Sequence, residues 1–555
     1  MDKVLPIGVS DFKEMIDNNY YYIDKSLFIK EIIDIGAKVI LLPRPRRFGK
    51  SLNLSMLYHF FEKREDQTRY LFKDLKIQKY GSKYMDRQGQ HPVINLDLKG
   101  TKSHKWSLCL EKFKRAIALE YRRHIYLLDS DQLLDSEKEE YREIISLKAD
   151  RTAYEFSIEN LSRHLHRYYG TKVIILIDEY DEAIQSWYLH EFYEQVVDFM
   201  RGLLIRSLKG NPSLEKGILT GILRVAKESI FSGLNNLSVY TLLKPQFDQY
   251  FGLLEDEVQE FLNYYDLNDK LGEVRKWYNG YYFGNRTVYN PWSVVKYIEN
   301  QASPELFWVN TSSNDLIKNI IAKGVETKED LEILLKGQAT VKEIYENIIY
   351  SEIEDNVDSV WSFLLFSGYL KAEYIETRKG KLICELKIPN REVFYLFEDI
   401  VINWFRANMK SRDIELLLNS LISGDIATFE EIFKDLVRTT FSYFDVGGKN
   451  PEKFYHAFVL GLLVHLKDTY HVKSNRESGY GRYDVMLIPI NKDNLGIIIE
   501  FKRVDHENNL EESVENALVQ IRERNYRARL EEMGVNDIVE IGIAFFGKKV
   551  RIKEA

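Results

Sequence analysis

Two carboxylates and a lysine near the C-terminal end of the chain have the types and spacing of a metal-dependent hydrolytic site. Asp484 opens an apolar stretch, and Glu500 and Lys502 end a second apolar stretch a short gap later. Because side chains alternate faces along a β-strand, Glu500 and Lys502 should point the same way while Phe501 turns into a core. Two converging carboxylates repel each other unless a cation lies between them, and oxygen ligands favour Mg²⁺ or Mn²⁺. We therefore predict a metal site at Asp484 and Glu500, with Lys502 orienting a water or stabilising phosphate charge.

The segment after this lysine, 514–526, has apolar residues at helical spacing. Arg522 and Arg524 on this helix could contact nucleic-acid phosphates, and a solvated arginine face is the alternative. A Glu-x-Lys pattern alone also occurs where an ordinary strand ends at a solvent edge. The Asp484 strand before it and the helix after it favour the catalytic interpretation.

A second group of residues, near the N-terminal end, predicts a phosphate-binding loop. The stretch 37–42 is typical of a buried strand, and it runs through a turn into Gly49, Lys50, Ser51 and an apolar helix. Backbone amides and the dipole at a helix start attract an anion. Lys50 would reach the β- and γ-phosphates of a nucleotide, and Ser51 would hold Mg²⁺.

The turn itself departs from the usual phosphate-loop pattern. That pattern has a glycine five residues before Gly49, where this chain has Arg44. The loss of glycine flexibility opposes the ordinary cradle, whereas the charges of Arg44, Arg46 and Arg47 could partly compensate. A basic turn before a helix is the alternative interpretation.

The apolar stretch 173–177 ends in paired acids and supports the nucleotide interpretation. Asp178 would bind Mg²⁺ through water, and Glu179 would polarise the attacking water as general base. The alternative is a buried strand that ends at an acidic helix start, where Asp181 helps to cap the helix.

Two further strand-like stretches extend the predicted sheet. One is 93–97, and the other, 216–219, leads into Thr220 and Arg224. Thr220 is a candidate sensor of the γ-phosphate, and Arg224 is a candidate charge stabiliser. Alternating strands and amphipathic helices are typical of a parallel α/β sheet.

The composition limits the classes of function. A net charge of −8, from 77 basic and 85 acidic residues, argues against a general nucleic-acid coat protein but allows a local basic groove. Two cysteines cannot form a disulfide framework, which is typical of a reducing cytoplasm. Apolar runs fall short of the roughly 20 residues that span a membrane, and the N-terminus shows no secretion signal. We predict a cytoplasmic protein without membrane association.

The C-terminal pattern resembles the PD-(D/E)XK nuclease motif, with Asp484, Glu500 and Lys502 at the positions of its aspartate, second acid and lysine. Gln520 and Tyr526 are similar to the Gln and Tyr that some exonuclease-type members carry after the lysine strand. The resemblance therefore implies that these two residues are further candidates for nucleic-acid contact.

Segments across nearly the whole chain resemble the bacterial AAA-ATPase-like family, whose members typically end in a PD-(D/E)XK nuclease domain. The matching segments are 44–52, 177–181, 220–224, 231–236, 277–284, 289–292, 310–313 and 365–370. The arginine-rich loop is itself the family's form. The resemblance implies ATP and Mg²⁺, with Mn²⁺ as an alternative metal, and it leaves open whether ATP is hydrolysed or only bound.

These observations together predict an α/β fold with four regions. They are a P-loop NTPase-like parallel-sheet domain, a helical lid or winged-helix-like region with a hairpin at the Gly280 and Gly284 turns, a helical connection, and a restriction-endonuclease-like domain that begins at a glycine-rich linker. Their predicted bounds are 1–240, 241–375, 376–446 and 447–555.

The predicted function is an ATP-binding protein, expected to be an ATPase, coupled to a Mg²⁺-dependent nuclease that acts on DNA. The resemblance implies defence against foreign DNA or DNA processing, with a homo-oligomer to which Arg224 contributes. One alternative is a nucleotide-switched signalling or scaffold protein whose C-terminal domain binds nucleic acid or a partner without cutting. Another is an ATPase motor with a structural C-terminus.

Overall fold

The structure, a computed structural model, forms two compact units. One unit comprises Met1–Ile320 and Ala339–Val393, and the other comprises Ile321–Gln338 and Phe394–Ala555. The structure describes residues 3–63, 68–185, 192–224, 230–231, 234–308, 330–331, 333–335, 337–347, 357–407, 411–440, 463, 466, 469–478, 481–504, 506–547 and 549–555. The predicted linker at 447–451 lies outside these residues, and the bounds of the four predicted regions stay predictions.

The first unit begins with an α/β region built on a parallel sheet. Its strands are β1 (Val39–Pro43), β2 (Val93–Asp97), β3 (Val173–Asp178), β4 (Leu214–Gly221) and β5 (Leu237–Val239). They lie in the order β2-β3-β4-β1-β5, and every pairing is parallel. All residues of β1 and β3 are buried, as expected of strands covered on both faces. The predicted parallel α/β sheet is confirmed.

Helices cover this sheet and connect its strands. They are α1 (Phe12–Asp17), α2 (Leu27–Asp34), α3 (Lys50–Phe61), α4 (Ser82–Met85), α5 (Trp106–Arg123), α6 (Asp135–Ile145), α7 (Arg151–Tyr169), α8 (Glu182–Gln185) and α9 (Tyr193–Leu208). Asp11 and Asp150 cap α1 and α7 by accepting backbone N–H groups of the first turn. Short 3₁₀ turns occur at Thr68–Phe72, Lys76–Tyr80 and Ile125–Asp129.

The middle region is mainly helical, as predicted. Its helices are α10 (Glu255–Tyr264), α11 (Leu271–Tyr278), α12 (Pro291–Glu299) and α13 (Val357–Phe366), with a 3₁₀ turn at Asn268–Lys270. The turns at Gly280 and Gly284 frame a hairpin of β6 (Tyr281–Phe283) and β7 (Arg286–Val288). A small antiparallel sheet pairs β10 (Lys381–Lys387) with β8 (Thr340–Ile344) and β9 (Lys371–Arg378).

The second unit carries a mixed sheet of five strands in sequence order, β11 (Tyr470–Ser478), β12 (Gly481–Pro489), β13 (Gly496–Arg503), β14 (Ile538–Phe546) and β15 (Lys549–Glu554). Only the β13–β14 pairing is parallel. This α/β arrangement agrees with the predicted restriction-endonuclease-like fold.

The second unit also contains the helices α15 (Ser411–Ser423), α16 (Ile426–Thr440), α17 (Leu510–Glu523) and α18 (Arg527–Glu532), a 3₁₀ turn at Glu507–Asn509, and most of α14 (Arg391–Ala407), which begins in the first unit. Apolar residues of α15 and α16 form one core with Ile499, Phe501 and other sheet residues. Residues of α17 and α18 form another core with Met486 and Ile498. Strand alternation therefore puts the even-numbered Glu500 and Lys502 on the α17 face.

Candidate functional site

The N-terminal candidate site is built where β1 passes into α3. Gly49 has φ +84° at this junction, a left-handed conformation in which a side chain would be strained. Arg47 also has a positive φ, +66°. The amides at the start of α3 thus follow a tight left-handed loop, and Lys50 is only 4% exposed.

Asp178 is the centre of the polar contacts beside this loop. Ser51 Oγ donates to Asp178 Oδ2 at 2.5 Å, and the hydroxyl of Thr220 donates to Oδ1. The backbone N–H of Glu179 donates to the same Oδ1 at 2.9 Å. Burial and the neighbouring Glu179 raise the pKa of Asp178, while the two hydroxyl contacts oppose this rise. Asp178 at the end of β3, Thr220 near the end of β4 and Ser51 at the start of α3 therefore lie together, as the sequence predicts.

Lys50 lies against Glu179 and the carbonyls of its own loop. Its Nζ is 3.3 Å from Glu179 Oε1, and it donates to the carbonyl oxygens of Arg44 and Pro45 at 3.3 Å each. Glu179 adopts φ +50°, an uncommon conformation for a residue with a side chain. A bound phosphate would have to replace this carboxylate as the partner of Lys50.

Arg44 does not add its charge to the loop, contrary to the sequence expectation. Its side chain is completely buried, donates to the carbonyls of Pro43 and Tyr240, and lies 5.0 Å from the ring centroid of Phe251. Burial lowers the pKa of Arg44 to about 9. The residue at the usual glycine position therefore anchors the start of the loop in an aromatic core.

A cavity of about 450 Å³ adjoins the loop. Its lining includes the cationic side chains of Arg46, Arg47, Lys50, Lys99 and Lys102. It also includes apolar and aromatic side chains such as Tyr21, Phe261 and Val295. A cavity with cationic and apolar parts suits a nucleotide, whose phosphates are charged and whose base is largely apolar. No sequence motif identifies Lys99 or Lys102 as a residue that lines this cavity.

The acids after β3 have different partners. Asp181 is completely buried and accepts the backbone N–H groups of Ile222 at 3.0 Å and Leu223 at 2.9 Å, so it ties the end of β3 to the residues after β4. Glu182 accepts the N–H of Gly100 at 3.1 Å. Arg224 lies three residues beyond β4 and is half-buried. Its role as a charge stabiliser stays a prediction.

The C-terminal candidate site lies on neighbouring strands of the second unit. Val485 pairs with Ile499 in the antiparallel β12–β13 ladder, so Asp484 comes beside Glu500. Asp484 Oδ2 accepts the backbone N–H of Phe501 at 2.8 Å. The register of two strands therefore brings the two predicted metal ligands together.

Among the described residues, the buried carboxylate of Glu500 accepts a hydrogen bond at only one of its two oxygens. The residue is 2% exposed, and Oε1 accepts a hydrogen bond from the Gln520 side-chain amide. Oε2 has no hydrogen-bond partner among the described residues. Burial and the charge of Asp484 raise the pKa of Glu500 to about 8, whereas Lys502 acts in the opposite direction. A buried carboxylate oxygen without a partner calls for a proton or a cation.

Gln520 connects the lysine to this carboxylate. Lys502 Nζ donates to Gln520 Oε1 at 2.5 Å and lies 3.7 Å from Glu500 Oε1. Gln520 is on α17, which packs closely on the sheet because Gly542, the β14 partner of Glu500, has no side chain. A Cβ at Gly542 would lie 2.6 Å from the carbonyl oxygen of Val514 in α17. The glycine thus sets the distance between Gln520 and Glu500.

The remaining predicted nucleic-acid contacts differ in exposure. Arg522 and Arg524 are exposed, and Arg522 Nε lies 3.8 Å from the buried Glu540. Tyr526 is 0% exposed and belongs to the core beneath α17. Its ring therefore has no surface to offer a nucleic acid in this structure, and it packs next to the site instead. The sequence could not distinguish this buried tyrosine from an exposed one.

The donor set at Asp484 and Glu500 fits a hydrated divalent cation. Mg²⁺ is usually held by one or two carboxylates and keeps several waters. In the part of the chain that the structure describes, no group of three or more His, Cys, Asp or Glu side chains could hold a metal. Two carboxylates, one with an unpartnered buried oxygen, leave coordination positions for water and phosphate.

The fold and these two groups of residues define a P-loop NTPase-like unit and a restriction-endonuclease-like unit in one chain. Residues 6–231 match the family model described as "Predicted AAA-ATPase", and residues 450–555 match the model of the PD-(D/E)XK nuclease superfamily. The chain thus combines an AAA-ATPase-like domain with a PD-(D/E)XK nuclease superfamily domain.

A protein of Azotobacter chroococcum mcd 1, described as "Uncharacterized protein in vnfD 5'region", is similar over most of its length. It is 24% identical over 500 residues, which are 88% of this chain and 87% of that protein. The similarity extends beyond either family model. Among the described residues, no helix combines the length and apolar character needed to cross a membrane.

Proposed function

We propose that this chain is an ATP-binding protein, and an ATPase, coupled to a Mg²⁺-dependent nuclease that cuts DNA. The observation that carries the proposal is the state of Glu500, whose Oε2 is buried beside Asp484 and Lys502 and has no hydrogen-bond partner within the described part of the chain. A buried polar atom without a partner costs about 1–3 kcal/mol, and more if charged. A divalent cation between the two carboxylates would offset that cost and neutralise their repulsion.

In the proposed cleavage step, Asp484 and Glu500 would hold the cation, and Lys502 would orient a water toward the phosphorus atom. The water oxygen would bond to phosphorus as one phosphodiester P–O bond breaks, and a proton from the water would pass through solvent to the departing sugar oxygen. Gln520 keeps the ammonium of Lys502 at its position through the 2.5 Å hydrogen bond. When bound, Mg²⁺ polarises the phosphate oxygen and lowers the pKa of a coordinated water. Arg522, on the same helix, and Arg524, directly after the helix, are exposed and would bind the phosphates of the DNA strand.

At the nucleotide site, the phosphates of ATP would take the place of Glu179 as partner of Lys50. Glu179 would then be available as general base for the attacking water. Ser51 Oγ lies 2.5 Å from Asp178 Oδ2, and these two side chains would hold Mg²⁺ together. Arg46 and Arg47 line the cavity and would add positive charge around the phosphates, with Thr220 as sensor and Arg224 as charge stabiliser.

The proposed setting is cytoplasmic, in defence against foreign DNA or in DNA processing, with the chain acting as a homo-oligomer. Two buried free cysteines, Cys109 and Cys384, are compatible with a reducing compartment. Size-exclusion chromatography with light scattering, with and without ATP, would measure the assembly directly. A monomer under both conditions would contradict the oligomer.

The test is cleavage of linear, circular and single-stranded DNA, and of RNA, with Mg²⁺ or Mn²⁺. We expect DNA cleavage that falls at least about 100-fold in Lys502→Ala, because the water loses its orienting group. Lys492→Ala is the matched control, since Lys492 lies in the turn between β12 and β13 and donates to the Pro489 carbonyl. Equal cleavage by the wild-type chain and Lys502→Ala would overturn the proposal. Absence of cleavage by a chain that binds ATP would favour the signalling or scaffold function.

A further inference from the structure

Two tryptophans that are far from the arginine-rich loop in sequence hold that loop. Trp308 donates its indole N–H to the carbonyl oxygen of Arg46 at 3.1 Å. The guanidinium of Arg47 lies 4.3 Å from the ring centroid of Trp292, within the range of a cation–π interaction. Both arginines line the nucleotide cavity, so both contacts report on the conformation of the loop.

The same two tryptophan segments meet at one buried carboxylate, Glu392. Glu392 Oε1 accepts the backbone N–H of Trp308 at 2.5 Å, and Oε2 accepts the hydroxyl of Ser293 at 2.8 Å. Ser293 directly follows Trp292 in α12. Glu392 is 0% exposed, and loss of a hydrogen bond to a buried charged group is costly. A displacement of either tryptophan segment must therefore be followed by Glu392 or must break one of these bonds.

Glu392 is in the first turn of α14, which the chain uses to pass from the first compact unit into the second. The unit boundary falls at Val393, two residues into a helix that continues to Ala407. Asn390 fixes the start of the helix by accepting the N–H of Val393 at 3.1 Å. Because a helix moves as a hydrogen-bonded rod, a shift of its first turn is passed along its length.

The peptide bond between Arg46 and Arg47 gives a physical reason for nucleotide to act on this path. A peptide unit is planar, so the carbonyl of Arg46 and the N–H of Arg47 turn together. Backbone N–H groups of such a loop point at bound phosphates. Rotation of this N–H toward a phosphate would rotate the carbonyl that Trp308 binds. The phosphates would also compete with the ring of Trp292 for the Arg47 guanidinium.

We propose that Trp292, Trp308 and Glu392 form a relay through which nucleotide at the phosphate loop changes the state of α14, the helix that continues into the second unit. The inference rests on the proposed function, since it assumes a nucleotide in the cavity. In this relay, Glu392 is a positioning residue that lines neither the cavity nor the phosphate loop.

The test is hydrogen exchange of the full chain, with and without ATP and Mg²⁺, read at the peptides that cover α14. We expect ATP to change exchange there at least about threefold in the wild-type chain and to leave it unchanged in Trp308→Phe, which removes the N–H to Arg46. Trp361→Phe is the matched control, because this buried indole nitrogen of the same unit has no hydrogen-bond partner among the described residues. It should respond like the wild-type chain. Glu392→Gln is a second variant and should lose the response as well.

The outcomes distinguish failure of the relay from failure of the proposed function. If the wild-type chain binds ATP and cuts DNA but α14 exchange is unchanged by ATP, the relay is wrong and the proposed function stands. If Trp308→Phe and Glu392→Gln both keep the full response, the relay is also wrong. If the wild-type chain binds no ATP, the relay falls together with the nucleotide part of the proposed function.

Discussion

The two candidate sites differ in how their polar groups are satisfied without a ligand. At the nucleotide site, Asp178 accepts three hydrogen bonds and Lys50 lies beside Glu179. At the nuclease site, one buried oxygen of Glu500 has no partner among the residues that the structure describes, and burial and Asp484 raise the pKa of Glu500 to about 8. At the nucleotide site, a ligand must replace hydrogen-bond and ion-pair partners that the side chains already have. At the nuclease site, a metal ion would supply a partner that the described residues do not provide. We therefore expect stability to depend on metal more strongly at the second site.

The largest effect should follow from changing the unpaired carboxylate. Glu500→Gln keeps the shape of the side chain but removes a metal ligand, so DNA cleavage should fall about 100- to 10,000-fold. Initial rates at saturating Mg²⁺ would measure this. Asp493→Asn, an exposed change in the turn between the same two strands, is the control and should cut normally. Cleavage by Glu500→Gln within threefold of wild type would show that the nuclease site does not need the Glu500 carboxylate as a metal ligand, and the proposed difference between the two sites would be wrong.

A smaller effect is expected for Lys50→Ala at the nucleotide site. Loss of a charge-assisted contact of about 1.5–3 kcal/mol predicts ATP binding weakened roughly 10- to 150-fold. Calorimetric titration with ATP and Mg²⁺ would measure the change. Lys73→Ala, an exposed lysine outside the cavity, provides the control. Unchanged affinity in Lys50→Ala would show that nucleotide does not bind at this loop.

The close packing of α17 allows a prediction about positioning. In Gly542→Ala the new Cβ would press on the Val514 carbonyl, so α17 and Gln520 should move away from Glu500. We expect a loss of about 1–3 kcal/mol in the free energy of unfolding and slower cleavage. Gly272→Ala, at a helical glycine with open space around it, should be neutral or stabilising by less than about 1 kcal/mol. Equal stability of the two variants in urea unfolding would show that α17 adapts.

The smallest expected effect is stabilisation by the metal alone. Mg²⁺ at ten times its dissociation constant should add about 1.4 kcal/mol to the free energy of unfolding of the second unit. Melting curves with and without Mg²⁺, in the absence of nucleotide, would detect it. The shift should be absent in Asp484→Asn, and a shift of equal size in that variant would place the metal elsewhere.

The sequence predicted those parts of the fold that depend on local pattern. Period-two alternation put Glu500 and Lys502 on one face, and apolar runs ending in polar residues gave the strands that carry Asp178 and Thr220. Because β3 and β4 pair in parallel, their carboxyl ends lie at the same edge of the sheet, so the position of each polar residue at its strand end is enough to predict that they are neighbours.

Features that depend on contacts between distant segments could not be predicted. The sequence pattern predicts that the charge of Arg44 contributes to the loop, and its burial among rings from residues more than 200 positions away has no local signal. Trp308 is 262 residues from the loop carbonyl that it binds. The burial of Tyr526 and the close approach at Gly542 likewise depend on how α17 packs on the sheet.

The most direct test of the central claim is the DNA cleavage rate of the full chain with Mg²⁺, measured with and without ATP, in parallel with Lys50→Ala and Lys502→Ala. We predict that ATP changes the wild-type rate, that this change is lost in Lys50→Ala, and that Lys502→Ala cuts at least about 100-fold more slowly under both conditions. Equal wild-type rates with and without ATP, or cleavage by Lys502→Ala at the wild-type rate, would contradict this prediction.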